Sequence, residues 1–376
     1  MKRFLHIVCL DTPFPADYGG AIDMMNRIRA LHQAGIGIHL HYFSYNERGK
    51  PNELNQFCES IHVYARESLG QCFSLKTPYI VCSRMNADLI ARINADNYPV
   101  LLEGLHCTGL LQHMDLAQRK VVVRMHNEES IYYRELARSS RNLLHKAHFF
   151  YESHLLKKYN KRLQRECIYA CISESDEELL KKTYHLDHTR FLPAFPSWQK
   201  VNGEEGQGSF CLFHGNLSVP ENEEAAIWLL SKVFTKARVP FVIAGKKPGS
   251  RLQQAASLCQ HTCLIADPSE TEMNDLVRKA HINVLPSFNR NQTGIRLKLL
   301  HSLFEGRHCV VNDGMVEGTG LADACHIGSG SNAFASIISQ LFYQPFTAEE
   351  LRLREQLLGE TYDNSINARR LIQWLW

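Results

Sequence analysis

The sequence predicts an α/β chain of two parallel-sheet domains in tandem, and three observations lead there. The chain has 376 residues, too many for one ordinary core. A rhythm of short apolar run, turn and amphipathic segment repeats along it, which is the pattern of strands alternating with helices. That rhythm breaks once, at a Pro- and Gly-rich stretch, and then restarts.

The first strand is FLHIVCL, followed by Ala21, Ile22, Met25, Ile28 and Leu31 at helical spacing. IGIHLHYF alternates Ile36, Ile38, Leu40 and Tyr42 with Gly37, His39 and His41, the pattern of a half-buried strand. IHVYA, PVLLEG, KVVVRM and CIYACI are further strands, each followed by a helix-compatible segment. PAFPSWQKVNGEEGQGS carries no periodicity and reads as a linker. Beyond it FCLFHG, PFVIAG, TCLIA, INVLP and HCVVN resume the alternation, and Ser269 with Glu272 forms a capping box. The expected organisation is a Rossmann-like domain over 1–195, a linker over 196–208, a second Rossmann-like domain over 209–346, and a helical tail over 347–376 that returns to the first domain.

Composition narrows the function. The formal net charge of +3, with 22% charged and 44% hydrophobic residues, describes a folded protein without the dense cationic surplus of a nucleic-acid binder. Twelve cysteines are scattered, several within apolar runs, so buried free thiols are expected rather than disulfides. Cys167/Cys171 and Cys259/Cys263 lack a second half that would complete four ligands, and no metal site is expected. The apolar run after Met1 is too short for a signal peptide, and no stretch is long enough to span a bilayer, so the expected location is cytoplasmic.

In open parallel sheets ligands lie beyond the carboxyl ends of the strands, so chemistry is sought there. Gly19 and Gly20 open a helix after the first strand, where backbone amides favour an anion; a tight turn explains them equally well. No G-x-G-x-x-G follows that strand, which argues against a dehydrogenase. His126 directly follows KVVVRM, and histidine is the residue type most often used for proton transfer, although the chain holds nineteen histidines. Gly215-Asn216 and Gly245-Lys246 end two strands of the second domain and suit a diphosphate, with ordinary turn chemistry as the alternative. Gly294 begins a helix expected to run to Glu305 and to stop at Gly306, with the amides of Gly294 and Ile295 as an anion site. Lys298, His301 and Glu305 share one face of that helix.

Together these segments resemble the GT-B glycosyltransferases, in particular the retaining family 4. The P-x-x-x-D-x-G-G loop is similar to PFPADYGG, the H-N-x-E stretch to His126, Asn127 and Glu129, and the I-S-x-S-D stretch to Ile172 through Asp176. The glycine segment that opens the second domain resembles Gly215 through Asn222, and the G-I-R-x-K-x-L helix resembles Gly294 through Leu300. The resemblance implies two domains facing across a cleft, with the acceptor on the first and a nucleotide-diphosphate sugar on the second. Gly20 would meet donor phosphates or sugar, His126 the transferred sugar, and no cofactor or metal would be needed. The family's two glutamates fall here on Thr293 and His301, and Asn216 stands where many relatives carry an Arg.

The function expected is therefore transfer of a sugar from a nucleotide sugar to a glycan or lipid-linked acceptor, in surface polysaccharide or glycolipid synthesis. An inactive binding partner and a sugar-nucleotide epimerase on the same architecture are the alternatives. Lys157, Lys158, Lys161, Arg162 and Arg165 cluster near Phe149, Phe150 and Tyr151, which suits peripheral contact with an anionic membrane. A solvated helix face with its apolar residues turned inward is the preferred reading of that segment.

Overall fold

The computed structural model describes residues 2–44, 52–68, 70–72, 74–140, 142–288 and 296–376. Among them the chain forms two compact units. One comprises the chain up to Ser197 together with Tyr362–Trp376, and the other runs from Trp198 to Thr361.

The first unit holds seven strands: β1 (Phe4–Cys9), β2 (Gly37–Ser44), β3 (Ser60–Ala65), β4 (Val100–Glu103), β5 (Val121–Met125), β6 (Ile168–Cys171) and β7 (Thr189–Phe191). They pair in the order β3-β2-β1-β4-β5-β6-β7, every neighbour parallel. Parallel strands need crossovers, and the intervening helices cover both faces, so the strands read as near-continuous apolar runs. Val121, Val122 and Val123 are all buried, with Val122 in one hydrophobic cluster and Val121 and Val123 in the other. The helix Asn364–Leu375 belongs to this core, because Ala368, Leu371 and Leu375 are buried alongside Leu5, Ile7 and Ile38.

β2 corrects the half-buried expectation. Both of its faces are covered, and His41 is 1% exposed. Parallel register sets His6 beside His39 and His41 beside His62, so the imidazoles stack across strands instead of facing water. The His6–His41 and His41–His62 ring centroids are each 5.2 Å apart, and His6 Nδ1 lies 3.0 Å from His41 Nε2. Burial pushes the His41 imidazole down to about 2, so it stays neutral and acts as an aromatic core residue.

The second unit holds β8 (Cys211–Asn216), β9 (Phe241–Lys246), β10 (Thr262–Ala266), β11 (Ile282–Leu285), β12 (His308–Val311) and β13 (His326–Ile327). Their order is β10-β9-β8-β11-β12-β13, again all parallel. The Ser269 capping box is formed, the hydroxyl accepting from the Glu272 amide at 3.2 Å and the Glu272 carboxylate accepting from the Ser269 amide at 2.8 Å. All twelve cysteines are free thiols. No helix among the described residues is long and apolar enough to cross a membrane.

Candidate functional site

In the first unit the carboxyl ends of β4 and β5 deliver Glu103 and His126. The helix Gly19–Gln33 supplies Asp23 and Arg27, one turn apart. Arg27 clamps Glu103 with two bonds of 2.7 Å and reaches Asp23 at 2.9 Å. Arg124 Nε lies 3.2 Å from Asp23, while its other nitrogens donate to the carbonyls of Leu192 and Pro193. The Phe195 amide adds a bond of 2.8 Å to Asp23. Burial alone would raise the Asp23 carboxyl, but Arg124 and Arg27 outweigh it and hold the group well below the usual carboxylate range. Glu103 is likewise lowered, against burial, chiefly by Arg27 and the bond from His126.

His126 closes this network. Its Nε2 is 3.0 Å from Glu103 and its Nδ1 is 3.6 Å from Asp23, and its side chain is 10% exposed. The two carboxylates and two guanidiniums cancel without any contribution from the imidazole. The Nε2 bond to Glu103 orients the ring, a condition a positioned acid, base or sugar contact needs. Just beyond it, burial and the adjacent Glu128 push the Glu129 carboxyl up to about 8. Glu128 is fully bonded, accepting from Asn160, Tyr184, Ser130 and the Ile131 amide. Gly19 and Gly20 do open the first helix, whose N-cap Tyr18 makes no side-chain cap bond. A Cβ on Gly20 would lie 3.0 Å from the Tyr18 ring, so a side chain there would have to displace that partly exposed ring.

In the second unit Gly215 and Gly245 pair in register on β8 and β9. A Cβ on Gly245 would come within 1.9 Å of the Gly215 carbonyl oxygen, so strand packing already demands glycine at Gly245. Asn216 accepts from the Ser218 amide at 3.1 Å and from its hydroxyl at 2.7 Å, forming a local turn, and Lys246 is exposed. The anion-site residues Thr293, Gly294 and Ile295 lie outside the described residues. The helix is described from Leu297 to Glu305.

The Lys298, His301 and Glu305 face of this helix is engaged, not solvated. Lys298 Nζ donates to Asn222 at 2.9 Å and lies 5.3 Å from the Phe213 ring centre. Burial pushes its ammonium down to about 8 even though Glu221 opposes the shift. His301 stacks on Trp198 with centroids 4.6 Å apart and planes 12° from parallel. It meets His214 edge-on, and His214 in turn pairs with Ser302 at 2.9 Å. His301 Nε2 is buried and has no hydrogen-bond partner among the described residues. Burial pushes His301 down to about 4, so the ring is neutral at physiological pH. Glu305 has a structural role, bonding Asn202 at 2.8 Å and pairing with Arg278. Gly306 ends the helix, as the sequence predicts, with φ −100. It is glycine because a Cβ would sit 2.3 Å from Asn283 Nδ2.

The sequence reading missed Asp23, Arg27, Glu103, Arg124 and Trp198. Glu103 had a readable signal, an acid at a strand's carboxyl end just before Gly104, which adopts φ 91. The Asp23/Arg27 pair had none, since an i, i+4 ion pair ordinarily marks a solvated helix face.

Residues 208–343 match the family model described as glycosyl transferases group 1. Over 333 residues the chain is 27% identical to an uncharacterised 44.6 kDa protein in the cps region of Klebsiella pneumoniae, with 84% of each chain covered. Among solved structures it is similar to a sucrose-phosphate synthase from Thermosynechococcus elongatus, with TM-score 0.69, 13% identity, and 99% and 98% of the two chains covered. It is also similar to a mutant of S. aureus TarM in complex with Fondaparinux, alpha-GlcNAc-glycerol and UDP, with TM-score 0.65, 10% identity and 100% of both chains covered. A glycosyltransferase from Rickettsia africae gives TM-score 0.64 at 12% identity, covering 99% of this chain and 97% of that one. With two all-parallel Rossmann-like sheets the chain has the GT-B fold, and its second unit is similar to the glycosyl transferases group 1.

Proposed function

We propose that the chain transfers a sugar from a nucleotide-diphosphate sugar to a glycan or lipid-linked acceptor, with retention and without a catalytic metal. The observation that carries this reading is the pair formed by Lys298, an ammonium held at reduced basicity, and His301, whose buried Nε2 lacks a partner among the described residues. Both sit on the first two turns of the helix after β11. A diphosphate or ribose hydroxyl would satisfy each of them. In the transfer the anomeric carbon–phosphate oxygen bond breaks, a bond to the acceptor oxygen forms, and the acceptor proton leaves with the diphosphate. Fixed cations and amides stabilise the departing charge. His126, held by Glu103, is proposed to contact the transferred sugar, while Gly19, Gly20, Gly215, Asn216, Gly245, Lys246, Thr293, Gly294 and Ile295 are proposed to serve the donor. The cps-region relative supports a place in polysaccharide synthesis.

Contact with an anionic membrane surface has a specific observation in its favour. The apolar residues of the helix Leu143–Asn160 are not all turned inward: Leu143 is 80% exposed, Leu144 81% and Phe150 66%. Exposed Lys157, Lys158, Lys161 and Arg162 follow them. Exposed apolar residues on a helix that ends in cations are a composition found in interfacial helices. Sedimentation with anionic vesicles should be reduced by the double change Leu143→Ser and Leu144→Ser.

A thermal-shift panel of nucleotide sugars tests the central reading, because a ligand bound only by the native state raises the melting temperature. One donor is expected to stabilise the protein and then to yield its nucleotide diphosphate when a polyprenyl-linked or glycan acceptor is supplied. If no nucleotide sugar binds at millimolar concentration, the inactive-partner reading replaces this one.

A further inference from the structure

At the opposite ends of the second unit's strands, away from the residues just discussed, three side chains from distant parts of the sequence converge. His308 is the first residue of β12, His326 the first of β13, and Glu350 lies in the first turn of the helix Ala348–Tyr362. His308 Nδ1, His326 Nε2 and Glu350 Oε1 lie 3.1, 3.3 and 3.7 Å from one another. Four donors placed tetrahedrally about a metal at zinc-ligand bond lengths are about 3.4 Å apart. We propose that His308, His326 and Glu350 form a divalent transition-metal site, zinc foremost, that fastens the helix Ala348–Tyr362 to the edge of the second sheet.

The surroundings fix the ligand atoms of His308 and Glu350 in the role this requires. His308 Nε2 faces the Gln344 carbonyl at 3.2 Å, an acceptor that calls for the proton on Nε2 and so leaves a lone pair on Nδ1. That lone pair points at a carboxylate oxygen, and two acceptors 3.1 Å apart require a cation or a proton between them. A ring nitrogen bonded to a backbone carbonyl while the other ligates is the usual outer-shell arrangement of metal-bound histidine. Glu350 is divided in the same way. Its Oε2 accepts from the Thr347 amide and hydroxyl, both at 2.9 Å, which leaves Oε1 for the two imidazoles. His308 is buried, whereas the His326 side chain is 36% exposed, so a water can complete the fourth position from the solvent side.

The neighbouring groups discriminate between metals. Arg354 is buried nearby, its guanidinium engaged by the carbonyls of Gly306 and Arg307 at 2.7 Å each and by the Phe346 ring. Its charge opposes a cation held by electrostatics alone, and two imidazoles with one carboxylate oxygen fall short of the six or more oxygens that calcium prefers. His281 is already committed, accepting from the Gly208 amide and reaching the Leu341 carbonyl. This site is separate from the donor residues, so its occupancy can be tested without any assay of sugar transfer.

The test is titration of chelator-stripped, untagged full-length protein with Co(II) as the spectroscopic probe, followed by competition with Zn(II). One equivalent is expected, with the visible bands of a four-coordinate centre, no thiolate charge-transfer band, and a zinc-dependent rise in melting temperature. His326→Asn removes a half-exposed ligand, and Glu350→Gln keeps the helix cap while removing the carboxylate. Each is expected to weaken zinc by at least ~10-fold while the metal-free fold, followed by circular dichroism, is kept. Absence of stoichiometric metal in the folded wild type, a thiolate band from the cysteines, or unchanged affinity in both folded variants overturns the proposal.

Discussion

In the first unit His126 lies beside four fully buried formal charges that cancel in pairs, whereas in the second His301 packs between Trp198 and His214. Lys298, one turn away, bonds a neutral amide. In the first arrangement each carboxylate is matched by guanidinium and Glu103 holds the imidazole, while Arg27 Nη1 is left without a hydrogen-bond partner among the described residues. The second has spare capacity, in an ammonium that burial destabilises and a ring nitrogen without a partner among the described residues. Matched carboxylates orient the imidazole beside them, and a destabilised ammonium next to an unpartnered ring nitrogen favours a ligand that supplies what they lack. That difference motivates the proposal that sugar positioning falls to the first unit and donor affinity to the second.

The largest effect that would test this contrast is on stability. Removing one member of a buried ion pair strands its partner, so Glu103→Ala should destabilise the protein by about 3–5 kcal/mol in denaturant unfolding. Glu305→Ala in the second unit should cost clearly less, because the Arg278 side chain it releases is 45% exposed and can turn to water. Equal losses would remove the distinction between the two units.

Next comes turnover. His126→Ala should lower the transfer rate by at least ~100-fold with little change in donor affinity, if the ring contacts the reacting sugar. A normal rate with lowered stability would make His126 a structural member of the network alone.

A pH effect should follow from Lys298. Its ammonium loses its proton near 8 in the ligand-free protein, and a bound diphosphate favours the charged form. Donor affinity should then be level below that value and fall by up to ~10-fold per unit as pH rises through it, accompanied by proton uptake on binding. Lys298→Met should weaken binding and flatten the profile. A flat profile in the unaltered protein would separate Lys298 from the diphosphate.

The smallest effect concerns His301. His301→Ala should weaken the donor by about 1 kcal/mol, the usual net value of one hydrogen bond. Burial places the pH response of the His301 ring near 4. Titration calorimetry at pH 7 and pH 5 should therefore show the same His301 contribution.

The sequence made the strands legible because parallel strands buried on both faces leave dense apolar runs, and it made His126 legible because one such run ends at Met125. It left the partners of His126 hidden. Asp23 and Arg27 share a helix face that looks solvated in a linear reading, and only β4 and β5 packed against that helix turn it into the interior. The histidines of β2 misled for a related reason: alternation of apolar residues with His predicts water on one side, yet neighbouring imidazoles stack into core. His308, His326 and Glu350 are invisible as a pattern, because the motif spacings that reveal metal sites assume ligands close in sequence.

The stack of His301 on Trp198 also gives the molecule a reporter of its own. The chain has four tryptophans, and among the described residues Trp198 alone stacks on an imidazole. An indole in face-to-face contact with imidazole emits less when that ring gains a proton or changes its tilt. A nucleotide sugar that engages the free nitrogen of His301 should therefore be visible as a change in intrinsic emission, which Trp198→Phe abolishes. No label would be required to follow occupancy of the donor position in real time.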